Sequence, residues 1–252
     1  MNYYNEFDPH AAAWLRQLIA EGLIPAGDVD ERSITEIQPH ELTKYTQCHF
    51  FAGIGGWPLA LSLAGVPPDA PIWTGSCPCQ PFSVGNVAHG GGKGKADPRH
   101  LWPVFGRLIA ECGPAVVIGE QVAAAIGKGW WDEAAGDMEA SGYSVAAAVL
   151  PAAAFGAEHE RKRLFWGAHA SGEGREGHQP QQRIPLSAPQ TLAIAGDPFA
   201  GARRVLEGDQ RGLLQCDGLS VVMERHALKG FGNAIVPQVA ATFIEAFLTA
   251  DI

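Results

Sequence analysis

YTQCHFFAGIGG, residues 45–56, is the stretch from which the fold can be read. Its first eight residues, aromatic and apolar with few charges, read as a buried strand. They run without a linker into Gly53-Ile54-Gly55-Gly56 and then into WPLALSLA, residues 57–64, which reads as a short helix. A strand that turns over glycines into a helix is a building unit of α/β sheets. The glycines let the backbone approach a ligand, and the first N–H groups of the helix stay free to meet polar groups. The same turn also serves simply to pack a strand on a helix, and on these residues alone both readings stand.

The pattern continues on both sides. Upstream, residues 3–7 and 27–34 are extended pieces flanking a helix at 9–22, where Ala12, Leu15, Leu18 and Ile19 fall at helical spacing behind Pro9. Downstream, strands are expected at 72–75, 115–119, 145–153 and 164–167, with helices at 101–112, 131–141 and 237–250. Strands and helices alternating at these lengths predict an α/β fold. The expected form is a mostly parallel, twisted sheet with helices on both faces. Residues 170–219 change character, with glutamines, scattered arginines, glycines and prolines and weak periodicity. They are expected to form a small irregular region. Residues 1–169 and 220–252 would then make the main domain.

Composition narrows the classes. The chain has 252 residues and a formal net charge of −9, so bulk charge does not hold it on nucleic acid, and such a role needs local basic patches. Residues 1–46 alone hold eight acids and three bases. Hydrophobic residues make up 46% and charged residues 18%, a globular balance that excludes a disordered acidic chain. Five cysteines at irregular spacing do not suggest a disulfide framework, and no apolar leader opens the chain. A cytoplasmic setting is expected. No run reaches the ~18–20 apolar residues of a membrane span. Cys77 and Cys79 lack the second cysteine pair that a tetrahedral zinc site would need, so no metal is expected.

Four segments carry chemistry. Cys79, in PCQPFS at residues 78–83, follows a strand end, where α/β enzymes place reactive groups. It is a candidate nucleophile or a buried structural thiol. Glu120 closes the apolar run VVIG, and burial there would raise its pKa and ready it to donate a proton. Arg161, Lys162 and Arg163 form a basic triplet before the strand at 164–167. The glycine-rich stretch 84–100 reads as a loop long enough to close over a ligand.

Together these segments resemble the cytosine carbon-5 DNA methyltransferases. FAGIGG (51–56) is similar to the first motif of that family, PCQPFS to its catalytic motif and Glu120-Gln121-Val122 to its ENV. HERKR (159–163) is similar to its QxRxR and GNAIVP (232–237) to its last motif. Gln121 stands where the family has Asn, Glu158-His159 where it has Pro-Gln, and His49 where an acid opens the first motif. Too few residues separate Gly56 from Pro78 for the two strands that hold the cofactor's ribose and adenine. NEFDPHA (5–11) is similar to the family's second motif and GDV (27–29) to its third. A rearranged order is expected, with the second and third motifs ahead of the first. Residues 1–46 otherwise read as an acidic helical extension. Small size and rearranged order resemble phage or prophage members of the family.

The resemblance implies a Rossmann-like methyltransferase fold, with S-adenosylmethionine as cofactor and S-adenosylhomocysteine as product. Cys79 would add to carbon 6 of a flipped cytosine. Glu120 would bond ring nitrogen 3 and the exocyclic amine, and Arg163 with Arg161 the carbonyl oxygen. Phe51, Gly53, Ile54, Gly56 and Asn233 would line the cofactor, with Glu6 on the ribose, Phe7 on the adenine face, and Asp28 and Val29 at its edge. Gln80, Ser83, Lys93, Lys95, Arg99, Arg203 and Arg204 would meet double-stranded DNA, with 170–219 reading the target. A monomer without membrane contact is implied. Cys-based pyrimidine chemistry on tRNA or with another one-carbon donor, and a non-catalytic DNA-binding relic, are the alternatives.

Overall fold

The computed structural model describes residues 1–78, 99–155, 157, 160–171, 184 and 234–250. Seven strands form one sheet. They are β1 (Asn2–Asn5), β2 (Gly27–Asp30), β3 (Gln47–Phe50), β4 (Ile72–Gly75), β5 (Val116–Val122), β6 (Tyr143–Pro151) and β7 (Lys162–Ala170). Their order across the sheet is β2-β1-β3-β4-β5-β7-β6. β1 to β5 are parallel to their neighbours, and β7 runs antiparallel between β5 and β6. The sheet is thus mixed and mostly parallel, as the alternating pattern predicts.

The first two strands are part of this sheet. β1 pairs with β2 on one side and with β3 on the other, so Tyr4 lies opposite both Val29 and His49. Their side chains alternate between faces as a two-residue period requires. Tyr3, Cys48, Trp73 and Val117 share a row on one face, and Tyr4, His49, Thr74 and Ile118 share the next row on the other.

The Tyr3 face is covered by α4 (Trp102–Cys112) and α5 (Trp130–Ala140), together with Ile34, Ile37 and Leu42 from the connection between β2 and β3. Leu42 ends α2 (Pro39–Leu42), a single turn that the sequence pattern did not mark. Phe50 and Phe105 are fully buried here, and each such ring stabilises the fold by about 1.5–3 kcal/mol. Trp102, Trp130 and Trp166 pack against one another at centroid separations of 5.5–6.3 Å. The opposite face is covered by α1 (Pro9–Ala20), α3 (Gly56–Leu63) and α6 (Pro237–Thr249). Asp8 caps α1 by accepting from the His10 N–H at 3.0 Å.

Some boundaries differ from expectation. β5 does not stop at Gly119 but continues through Glu120 to Val122, because Glu120, Gln121 and Val122 pair with Phe165, Leu164 and Arg163 of β7. β2 stops at Asp30, and residues 34–36 form a short 3-10 turn capped by Ser33. Of the expected recognition region 170–219, only Ala170, Ser171 and Ile184 are among the described residues. Among those residues, no helix is long and apolar enough to cross a membrane, and no group of His, Cys, Asp or Glu is arranged to hold a metal.

Candidate active site

The C-terminal ends of the parallel strands share one edge, where ligands of α/β sheets gather. β3 leaves that edge in a tight turn. Phe51, Gly53 and Gly55 have φ values of 53°, 57° and 87°, a left-handed backbone that Gly adopts freely and Phe does not. The turn is held from β1, since the Ala52 N–H donates to the Asn5 carbonyl at 3.0 Å. The Glu6 carboxylate accepts from the Gly53 N–H at 2.7 Å and from the Asp8 N–H at 2.8 Å. One carboxylate therefore joins the start of α1 to the glycine turn. A Cβ on Gly56 would stand 2.7 Å from Ile235, so the segment leading into α6 closes on the same turn.

Phe7 follows Glu6 and leaves 73% of its surface exposed, a large ring with an open face at this edge. Asn5 is buried and its Nδ2 donates to the carbonyls of Asp30 and Arg32 at 3.2 and 2.8 Å. It thereby fixes the chain leaving β2. Asp30 accepts from the Tyr3 hydroxyl at 2.9 Å and is paired with Arg32 at 2.7 Å. Burial would lift the Asp30 carboxyl, but hydrogen bonds from Arg32 and Tyr3 outweigh it and hold it below the usual range.

Asp28 and Val29 stand earlier in β2 than Asp30. Asp28 pairs with Tyr3, short of the strand end, and its carboxylate accepts from the Tyr45 hydroxyl with Lys44 at 3.6 Å. Val29 packs against the small cluster of Tyr4, Leu15, Ile24 and Ala52. Asp30, not Asp28, reaches the edge, because the Glu6 N–H donates to the Asp30 carbonyl at 3.0 Å. The sequence signal for Asp30 was present, as the second acid of GDVD at a strand end, but only the register with β1 separates the two.

The next strands bring in the acid and the arginines. Glu120 is 8% exposed and its Oε1 lies 2.9 Å from Arg163 Nε. The approach is an ion pair rather than an aligned hydrogen bond, and Oε1 has no hydrogen-bond partner of good geometry among the described residues. Burial raises the Glu120 pKa, and the charges of Arg163 and Arg161 hold it back in part. Arg161 sits just before β7 with φ 26° and donates to the Ala234 carbonyl at 2.6 Å, tying the β6–β7 connection to the start of α6. Glu120, Arg161 and Arg163 line one recess with Leu150, Ala152, Phe165, Val236 and Val239. A buried carboxyl beside two cations can share a proton or a hydrogen bond with a neutral polar ring.

β4 ends between these two groups. The Ser76 hydroxyl accepts from Trp57 Nε1–H at 3.0 Å, and the Cys77 carbonyl accepts from Gln121 Nε2–H at 3.2 Å. Burial pushes the Cys77 thiol up, so it stays protonated and unreactive. Two residues on, Cys79 lies outside the described residues, as do Gln80, Ser83, Lys93, Lys95, Arg203, Arg204 and Asn233. Arg99 is described and exposed, and Ile54 is half-buried in the glycine turn. His49 is fully buried, stacks on Tyr4 at 5.0 Å and lies with its Nδ1 2.8 Å from the Thr74 hydroxyl.

The sequence also matches known proteins. The model of the C-5 cytosine-specific DNA methylase family matches residues 66–197, just over half of the chain. A type II methyltransferase, M.AplI of Arthrospira platensis, is 34% identical over 100 residues, which are 39% of this chain and 27% of that protein. The Entamoeba histolytica methyltransferase EhMeth is similar with a TM-score of 0.43 and 13% identity, over 73% of this chain and 57% of that one. A Spodoptera frugiperda DNMT2 mutant gives 0.43 and 12%, over 75% and 55%. The chain thus spans about a quarter of the length of the curated relative and little more than half of each solved chain.

Proposed function

The chain belongs to the C-5 cytosine-specific DNA methylase family, and from that premise we propose that it methylates carbon 5 of cytosine in double-stranded DNA, acting as a monomer. The observation that carries the reading is the buried Glu120 carboxyl held 2.9 Å from Arg163 at the ligand edge of the sheet. S-adenosylmethionine, when bound, supplies the methyl group. The residues at the edge fit such a cofactor. Phe7 offers an open aromatic face, Glu6 a carboxylate beside the glycine turn, and Phe51 to Gly56 a backbone that a ligand can approach closely. The turn 30–32, fastened by Asn5, takes the adenine edge in place of Asp28. This assignment treats β1 and β2 as the family's second and third motifs carried ahead of the first, and it is supported by β1 lying next to β3 with β2 outside it.

In the proposed reaction the Cys79 thiolate adds to carbon 6 of a cytosine turned out of the duplex, and carbon 5 gains the electron density to accept the methyl group. Glu120 bonds ring nitrogen 3 and the exocyclic amine. Its raised pKa suits it to keep a proton there as the thiolate adds. Arg163 offers its planar fork to the carbonyl oxygen, and Arg161 braces the same wall. Removal of the carbon-5 proton by a base, with water as the candidate, then expels the Cys79 sulfur and restores the double bond. Gln80, Ser83, Lys93, Lys95 and Arg99 are proposed to face DNA near the reacting base, and Arg203 and Arg204 within 170–219 to read the target.

The test is to incubate the protein with tritiated S-adenosylmethionine and mixed-sequence duplex DNA, digest the DNA and identify the labelled nucleoside. Labelled 5-methylcytosine supports the proposal. Label that enters only tRNA in a parallel reaction, or no label despite bound cofactor, refutes DNA as the substrate.

A further inference from the structure

Two buried side chains grip the exit of β4. Trp57, in the first turn of α3, donates to the Ser76 hydroxyl, and Gln121 of β5 donates to the Cys77 carbonyl. Gln121 also accepts from the Val122 N–H at 2.9 Å through its own Oε1. Both residues are almost sealed from water, at 2% and 1% exposure. In such a setting a lost partner leaves a polar group unpaired rather than hydrated.

The register explains why a side chain is needed here. β4 and β5 pair through Gly75 and Gly119, and the ladder ends there. β5 continues alongside β7, whereas β4 turns away. Two residues further along the same register Cys77 stands opposite Gln121, and the amide side chain replaces the backbone bond that the parting strands no longer make. Glu120 and Gln121 are adjacent in a strand and point to opposite faces, so the acid meets the recess while the amide holds the neighbouring chain.

We propose that Gln121 and Trp57 are positioning residues for Cys79. Together they fix the point from which the chain leaves β4, with the acid strand on one side and the helix of the glycine turn on the other. The inference rests on the methyltransferase reading and deepens it. Attack on carbon 6 needs the sulfur within a fraction of an ångström of its productive place, and a misplacement of about 1 Å costs roughly a hundredfold in rate.

The experiment compares wild type, Gln121→Met and Ser76→Ala. Met keeps the length of the side chain without the amide, and Ser76→Ala removes the acceptor of Trp57. The rate of covalent adduct formation with a 5-fluorocytosine duplex and S-adenosylmethionine is measured beside the Kd of S-adenosylhomocysteine and the Tm. The adduct rate is expected to fall about tenfold to a hundredfold, with Kd within about twofold of wild type. If Gln121→Met does not fold, Ser76→Ala alone decides. Undiminished adduct rates in the folded variants overturn the positioning role, as does a fall in rate matched by an equal loss of cofactor affinity. A wild-type protein that forms no adduct overturns the methyltransferase reading, and this inference with it.

Discussion

Replacing Gly119 by alanine is expected to destabilise the protein by about 1–3 kcal/mol, the usual cost of forcing an extra methyl into a packed core. The added Cβ would stand 2.2 Å from Cζ2 of Trp166 and 2.4 Å from the carbonyl oxygen of Gly75. Ordinary contact needs more than 1 Å of extra room. Neither neighbour can give it. Trp166 is fully buried among Trp102, Trp130 and Trp131, and the Gly75 oxygen belongs to the backbone of the adjacent strand. The strand itself must shift, and it carries Glu120 with it, so turnover is expected to fall along with stability. For a chain of this size each kcal/mol moves Tm by roughly 2–4 °C. The control is the same substitution at Gly136, inside α5, where no heavy atom lies within 4 Å of the new methyl. There the helix gains a better former, and stability is expected to rise by about 0.5–1 kcal/mol. Urea unfolding followed by tryptophan fluorescence reads both. Two variants that shift in the same direction, or a Gly119→Ala protein as stable as wild type, would refute the packing argument.

Three further outcomes are expected. Cys79→Ser should abolish methyl transfer while calorimetry shows S-adenosylhomocysteine still bound; substantial residual turnover would remove Cys79 as nucleophile. Glu6→Ala should weaken S-adenosylhomocysteine by about 1–3 kcal/mol through loss of a charge-assisted bond and of the brace on Gly53; calorimetry showing unchanged affinity would detach β1 from the cofactor. Burial lowers the His49 pKa from 6.5 to about 3, so below pH 6.5 the unfolded chain takes up a proton that the folded one refuses. The contribution is fully present above pH 6.5 and declines as pH falls towards 3, by up to about 1.4 kcal/mol per unit. Denaturant titrations of His49→Gln should show a shallower loss of stability between pH 7 and 5 than wild type, and parallel curves would contradict this.

Much of the sheet could be read from the chain because local pattern and tertiary demand agree. The apolar strand running into Gly53 to Gly56 has the left-handed backbone that its glycines announce. The extended pieces expected on either side of the first helix are strands of the same sheet, β1 next to β3 and β2 next to β1. What escaped the sequence depends on register. Asp28 and Asp30 are two apart and share a face, so periodicity cannot tell which lies nearer the strand end, and only pairing with Tyr3 and Asn5 shows that Asp30 does. Glu120 and Gln121 look like the end of an apolar strand, yet pairing with Phe165 and Leu164 carries the strand past them. The holds on Ser76 and Cys77 come from residues 19 and 44 positions away along the chain, contacts that no local pattern announces.

The place of β1 has a consequence for how the protein is assembled. β1 is flanked on both sides by strands that come later in the chain, β2 at residues 27–30 and β3 at 47–50. As the chain emerges from the ribosome, β1 waits with both edges unpaired, and its inner edge is closed only when β3 has been made. The same interleaving makes the connection between β2 and β3 a natural place for a cut that does not separate the pieces. After cleavage there, β1 would still be hydrogen-bonded to β3 along Asn2 to Asn5, and Glu6 would still reach across to Gly53. The two fragments would stay together as complementing halves, each holding one side of the same ligand edge.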